Sequence, residues 1–151
     1  MDILPLQPVP QNVPYQSGKL LAVARKDGKE IARHQLETTG KAVGLKIETE
    51  NTDWKSNGMD LQYLKVYAVD NQGRVVPGTT GEVVFEVNGQ ATILAVDNGD
   101  HSSDELFSGN KRQLYQGFAM AILRATKTSG EVTVKASVKG LKPAEKRIST
   151  K

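Results

Sequence analysis

The acidic run that begins at Asp97 is the part of the sequence whose residue types come closest to doing chemistry. Asp97 and Asp100 are followed by Asp104 and Glu105, and carboxylates facing a cleft can act as general acid and base. Calcium also takes several oxygen ligands, although the spacing does not match an EF-hand. Short side chains in an Asp-Asn-Gly-Asp sequence commonly bond the backbone amides of a turn. We expect such a turn here, with calcium binding as the alternative.

The remaining nucleophiles and ligands give little support to catalysis. His101 precedes Ser102 and Ser103, but adjacent residues rarely face one another, and no Gly-x-Ser-x-Gly motif is present. His34 is expected on the surface, and no histidine pair has the spacing of metal ligands. The chain has no cysteine, which excludes disulfides, thiolate zinc sites and thiol catalysis. We therefore predict no catalytic, cofactor-binding or metal-binding residue.

The charge balance bears on the class of partner. The 20 Lys and Arg residues are nearly cancelled by 17 Asp and Glu residues, for a net charge of +3, so we predict no nucleic-acid partner. The basic C-terminal strands lack the interleaved aromatic residues of a base-stacking surface. No apolar run is long enough for a transmembrane helix. The acidic, proline-rich start does not resemble a secretory signal peptide, so neither a membrane partner nor a signal is predicted.

Three aromatic residues are candidates for carbohydrate contact. Trp54 is the only tryptophan and lies in the polar segment 51–58, while Tyr63 and Tyr67 follow on a predicted strand. Sugar-binding modules place exposed aromatic rings against the CH groups of the sugar. The alternative is that Trp54 plugs one end of the fold or packs on a neighbouring domain.

The elements that would position these residues are strands. Apolar and polar residues alternate with a period of two, as in Val83, Phe85 and Val87, which is typical of half-buried strands. Asp27-Gly28 and Asn88-Gly89 suit type I′ turns, and predict hairpins joining 20–26 to 29–36 and 83–87 to 90–96. Seven or eight strands between residues 43 and 148 predict an all-β fold, an immunoglobulin-like antiparallel β-sandwich.

The strands divide the chain into two parts. Residues 1–40 contain a single hairpin, which would be marginally stable alone. We predict that 1–40 is the terminal hairpin and linker of a partial preceding β-domain, and that 41–151 is the sandwich. The alternative is that the hairpin is an extra ribbon of one larger sandwich.

One predicted strand, 117–125, is apolar on both faces. Phe118, Met120 and Ile122 form one stripe, and small or aliphatic residues form the other. Because a sandwich strand normally has one wet face, we predict that Phe118, Met120 and Ile122 form a domain interface. The N-terminal hairpin or a sister domain would cover it.

A set of motifs, kept in order over nearly the whole chain, resembles a known family. The motifs are Asp60-Leu61-Gln62-Tyr63-Leu64, Val69-Asp70-Asn71-Gln72-Gly73, Ala95-Val96-Asp97-Asn98-Gly99-Asp100 and Ser129-Gly130-Glu131-Val132-Thr133. Together they resemble the C-terminal immunoglobulin-like domain of glycoside hydrolase family 2 enzymes of the β-galactosidase type. Residues 13–30 resemble the end of the β-domain that precedes it.

The resemblance implies an accessory role rather than an enzyme. In that family the catalytic glutamates lie in a central barrel, which takes about 250 residues, and no position here matches its catalytic motifs. The chain would pack against other domains of a bacterial parent hydrolase that is periplasmic or extracellular. Two alternatives remain: a carbohydrate-binding module with Trp54 as its platform, and a bacterial cell-surface adhesion repeat.

Overall fold

The computed structural model describes residues 14–151, which contain ten strands and no helix. These residues fall into two compact units, one ending at Thr38 and the other running from Thr39 to Lys151. The proline-rich start, with Val13 of the family-like segment, lies outside the described residues. Whether the first unit belongs to a preceding β-domain stays a prediction.

The first unit is a hairpin of β1 (Lys19–Lys26) and β2 (Lys29–Glu37), which pair antiparallel. Asp27 and Gly28 at its tip have φ values of 50° and 76°. Positive φ at both central residues is what a type I′ turn requires. The hairpin predicted at Asp27-Gly28 is therefore confirmed.

The second unit is an antiparallel β-sandwich of two four-stranded sheets. Its strands are β3 (Gly44–Thr49), β4 (Leu61–Val69), β5 (Glu82–Gly89), β6 (Ala91–Asp97), β7 (Lys111–Gln113), β8 (Phe118–Ala125), β9 (Gly130–Ser137) and β10 (Ala144–Thr150). Sheet I has the order β3-β4-β8-β6, and sheet II has the order β10-β9-β5-β7. The predicted all-β, immunoglobulin-like sandwich is confirmed.

The core lies between the two sheets and uses every second residue of the central strands. Leu64 and Val66 of β4 and Leu123 of β8 face Phe85 of β5 and Val134 of β9, and all of them are fully buried. Burying one such side chain contributes about 1.5–3 kcal/mol. The period-two pattern of the sequence therefore becomes a continuous apolar layer that holds the sheets together.

The hairpin predicted at Asn88-Gly89 is wrong. The dipeptide forms the last two residues of β5 in sheet II and pairs with Thr133 and Val132 of β9, whereas β6 belongs to sheet I and pairs with β8. Of the two residues only Gly89 has a positive φ, 104°, and a Cβ atom on it would lie 2.1 Å from the carbonyl oxygen of Glu131. Glycine is required here because the crossover passes against β9, not because the chain folds back in a two-residue turn.

Candidate functional site

Trp54 is buried, with 1% of its surface exposed, and belongs to the core of the sandwich. Its ring Nε1 donates to the carbonyl oxygen of Asp60 at 3.0 Å, and its own carbonyl accepts from the Lys151 amide at 2.9 Å. Stacking on a sugar requires an open ring face, so the prediction of Trp54 as an exposed platform is wrong. The ring instead fills the core below the loop between β3 and β4.

The Asp97–Asp100 segment is a self-bonded turn. Oδ1 of Asp97 accepts the Asn98 and Gly99 amides at 2.7 and 3.2 Å. Oδ1 of Asp100 accepts the amide and hydroxyl of Ser102 at 2.9 and 2.7 Å. These bonds from Ser102 lower the pKa of Asp100. Within residues 14–151 no group of His, Asp and Glu side chains is arranged to hold a metal ion.

Arg112, which sequence reasoning did not single out as a site residue, lies fully buried beside this turn. Its guanidinium donates to the Glu105 carbonyl and to Oδ1 of Asn98, both at 3.0 Å, and lies 5.1 Å from the centre of the Phe107 ring. Asp97 Oδ1 is 3.6 Å from it. A buried cation needs such partners, so Arg112 ties the loop between β6 and β7 to the sandwich. Arg112 therefore already engages oxygen atoms of Asn98 and Asp97 that calcium, the predicted alternative for this segment, would need as ligands.

The other predicted residues come together on the outer face of sheet I. Tyr63 lies opposite Ile122, and Tyr67 lies opposite Phe118, across the β4–β8 pair. The Tyr67 and Phe118 rings are 5.3 Å apart at 40°. With Met120 these side chains point away from the core and are half-buried, apart from Tyr63, which is 36% exposed. We call Tyr63, Tyr67, Phe118, Met120 and Ile122 the apolar face.

Charged residues beside the apolar face are already paired with one another. Lys46 Nζ lies 2.7 Å from Glu48 Oε1, and Lys65 forms an ion pair with Glu50. Lys46 lowers the pKa of Glu48, and the hydrogen bond to Glu50 raises the pKa of Lys65. Lys65 lies among the residues of the apolar face, opposite Met120 and between Tyr63 and Tyr67. The face is therefore apolar apart from this one lysine, whose charge is paired with Glu50, and Lys46 and Glu48 border it on β3. No helix in residues 14–151 is long and apolar enough to cross a membrane.

Comparison with known proteins identifies the domain type. Residues 45–147 match the model of the glycoside hydrolase family 2 C-terminal domain 5. The chain is 28% identical over 137 residues to the β-galactosidase BoGH2A of Bacteroides ovatus, covering 91% of this chain and 16% of that protein. It is 31% identical over 135 residues to a β-glucuronidase of Formosa agariphila, covering 87% of this chain and 13% of that protein.

Solved structures agree with this assignment. A family 2 glycosyl hydrolase from Bacteroides cellulosilyticus superposes with a TM-score of 0.88 at 34% identity, over 92% of this chain and 18% of that one. A family 2 β-glucuronidase superposes with a TM-score of 0.84 at 26% identity, over 93% of this chain and 15% of that one. The chain thus spans less than a fifth of these relatives. It belongs to the glycoside hydrolase family 2 C-terminal domain 5 family.

Proposed function

We propose that this chain is a non-catalytic accessory domain of a longer family 2 glycoside hydrolase, and that its apolar face packs on another domain of that protein. The relatives named above are hydrolases of which a chain like this one forms 13–18%. The observation that carries the docking proposal is the apolar face itself, which lies outside the core of the sandwich.

The composition of the apolar face suits an interface between domains. Interface centres are enriched in aromatic residues and methionine and depleted in charge, with a polar rim. Tyr63, Tyr67, Phe118, Met120 and Ile122 fit that composition. Lys65 lies among them opposite Met120 and is paired with Glu50, while Lys46 and Glu48 on the edge strand β3 supply a charged rim. The partner surface would be mainly apolar. Because a covalent linkage raises the effective concentration of the partner, a modest contact area is sufficient.

Oxidative footprinting of methionines tests this proposal. Met120 lies in the apolar face, whereas Met59 is 76% exposed in the loop before β4 and serves as an internal reference. Both oxidation rates would be compared between the 151-residue chain and the longer protein that carries it. We expect the ratio of the Met120 rate to the Met59 rate to fall at least tenfold in the longer protein.

Two different failures of this proposal can be distinguished. If the ratio of the Met120 to the Met59 oxidation rate is unchanged in a longer protein that hydrolyses aryl glycosides, the apolar face does not dock on another domain. The accessory role would still stand. A longer protein without glycosidase activity, or glycosidase activity in the 151-residue chain alone, would overturn the accessory role itself.

Carbohydrate contact by Tyr63 and Tyr67 stays a separate prediction, as does a periplasmic or extracellular location of the longer protein. Both tyrosines belong to the apolar face, so sugar contact and domain packing would compete for the same surface. Titration of oligosaccharides into the chain, followed by chemical shifts of the two tyrosine rings, tests the sugar alternative directly.

A further inference from the structure

Asp70 follows the last residue of β4, and no part of its side chain is exposed. Its Oδ1 accepts the amides of Gln72 and Arg74 at 2.9 and 3.0 Å, and its Oδ2 accepts the Arg74 Nε at 2.9 Å. These bonds close residues 70–74 into a compact loop, in which Gly73 has a φ of 76°. The loop alone accounts for only part of what the carboxylate binds.

The same carboxylate also reaches a residue 30 positions earlier in the chain. Oδ2 of Asp70 accepts the Gly40 amide at 2.9 Å. Gly40 is exposed and belongs to no strand, and it lies in the polar sequence Thr38-Thr39-Gly40-Lys41. Such a sequence would by itself make a flexible connection.

A second bond holds the other end of this short segment. The Val43 amide donates to the carbonyl oxygen of Val69 at 2.9 Å. Residues 40–43 are thus attached at both ends. Gly40 is bonded to Asp70, and Val43 is bonded to Val69, the last residue of β4. The bond from Gly40 is charge-assisted, and such bonds are roughly twice as strong as neutral ones.

We propose that the Asp70 carboxylate is a clamp that holds residues 40–43 against the end of β4, so that the chain enters the sandwich as a stiff segment. The clamp lies entirely within residues 39–151. It does not depend on the proposed function, and it would act in the same way in a free-standing chain.

Two substitutions at Gly40 separate the bond from the burial of Asp70. A Cβ atom at Gly40 would lie 3.6 Å from the Cβ and Oδ2 atoms of Asp70, which is an ordinary contact, so Gly40→Ala keeps the amide. Gly40→Pro has no N–H to donate. We expect lower heteronuclear ¹⁵N NOE values at Lys41 and Ala42 in Gly40→Pro than in Gly40→Ala. Equal values in the two variants would overturn the clamp.

A second pair of variants tests the carboxylate side. In Asp70→Asn the amide of Gly40 should exchange with solvent at least tenfold faster than in the unmodified chain. Arg74→Gln leaves the carboxylate in place and should change that exchange less than threefold. Near-ultraviolet circular dichroism of the buried Trp54 shows whether each variant is folded. Unchanged exchange of Gly40 in folded Asp70→Asn would also contradict the clamp.

Discussion

The two sheets of the sandwich contribute similar residues to the core but turn very different faces outward. On sheet II, Lys135 lies between Glu86 and Glu145 of the neighbouring strands, with its Nζ 3.7 Å from Glu86. On sheet I the corresponding central strand presents Met120 and Ile122.

The difference is clearest between β8 and β9, the strands that each lie inside their sheet. Both alternate fully buried aliphatic residues with half-buried ones. The half-buried residues of β9 include Thr133 and Lys135, which water solvates well, whereas those of β8 are Phe118, Met120 and Ile122. Strands buried on both faces read as continuous apolar runs. The outer side of β8 therefore has the composition that the proposed docking requires, whereas the outer side of β9 suits contact with water.

The largest expected effect compares adjacent residues on β8. Leu123 is fully buried in the core, and Ile122 lies on the apolar face. In the 151-residue chain, Leu123→Ala should lower the free energy of unfolding by about 2–5 kcal/mol, because it leaves a cavity. Ile122→Ala should cost less than half of that, as measured by urea denaturation. Equal losses would mean that Ile122 is already packed within the chain, and that sheet I has no open face.

The next effect concerns acid stability at the end of β4 in sheet I. The Gly40 amide is the largest cause that lowers the pKa of Asp70, and the Arg74 side chain and the loop amides add to it. A pKa lower in the folded state than in the unfolded state stabilises the protein above the unfolded value, about 3.9. That contribution is lost as the pH falls below this value towards the folded pKa.

Asp70→Asn should therefore lower the free energy of unfolding by about 1–3 kcal/mol near neutral pH. The loss should become progressively smaller towards pH 2. Urea denaturation at a series of pH values measures this difference. A cost of Asp70→Asn that stays constant from pH 6 to pH 2 would contradict the role of the charge.

A smaller effect compares charge insertion on the two outer faces. Thr133 lies between Asn88 and Arg147 on sheet II and is half-buried, so Thr133→Glu is a matched control for Ile122→Glu. In the longer protein, covering the apolar face would bury an unpaired charge, which is strongly unfavourable. Ile122→Glu should therefore lower the melting temperature by several degrees more than Thr133→Glu. In the 151-residue chain the melting temperatures of the two variants should differ less. An equal difference in the 151-residue chain and in the longer protein would argue against docking.

The smallest effect is expected on sheet II. Glu86 and Lys135 are both about half exposed, and exposed ion pairs contribute about 0–1 kcal/mol. Glu86→Gln should change the free energy of unfolding by less than about 1 kcal/mol, and added salt should reduce the change further. A loss of several kcal/mol would show that the charged face is itself a structural contact.

Local signals in the sequence predicted some features and misassigned others. Asp27-Gly28 predicts its hairpin because both residues adopt positive φ between strands that have no other neighbour in the described structure. Asn88-Gly89 carries the same signal, but β5 pairs with β9 and β7 instead of β6. A dipeptide encodes the backbone angles that it tolerates; it does not encode which strand will be its partner.

The residues of the candidate sites also show that a local sequence pattern does not contain burial or long-range contacts. Trp54 lies among polar neighbours in the sequence and yet is buried, because the ring enters the core from a loop. Arg112 is a charged residue on a three-residue strand, and only the fold places Glu105 and Asn98 around its guanidinium. Pairing, burial and long-range hydrogen bonds depend on residues far apart in the chain, which a local pattern does not contain.

By itself the sequence determined the class of the fold, since alternation with a period of two is a local property of extended backbone. It also determined that thiol chemistry is excluded, and its motif order pointed to the family that the comparison with known proteins identified. Only the tertiary structure decided that Tyr63 and Tyr67 meet Phe118 and Ile122 on one face, and that Asp70 reaches Gly40. Those contacts exist because the burial of a shared core sets the register between β4 and β8 and brings distant segments within bonding distance.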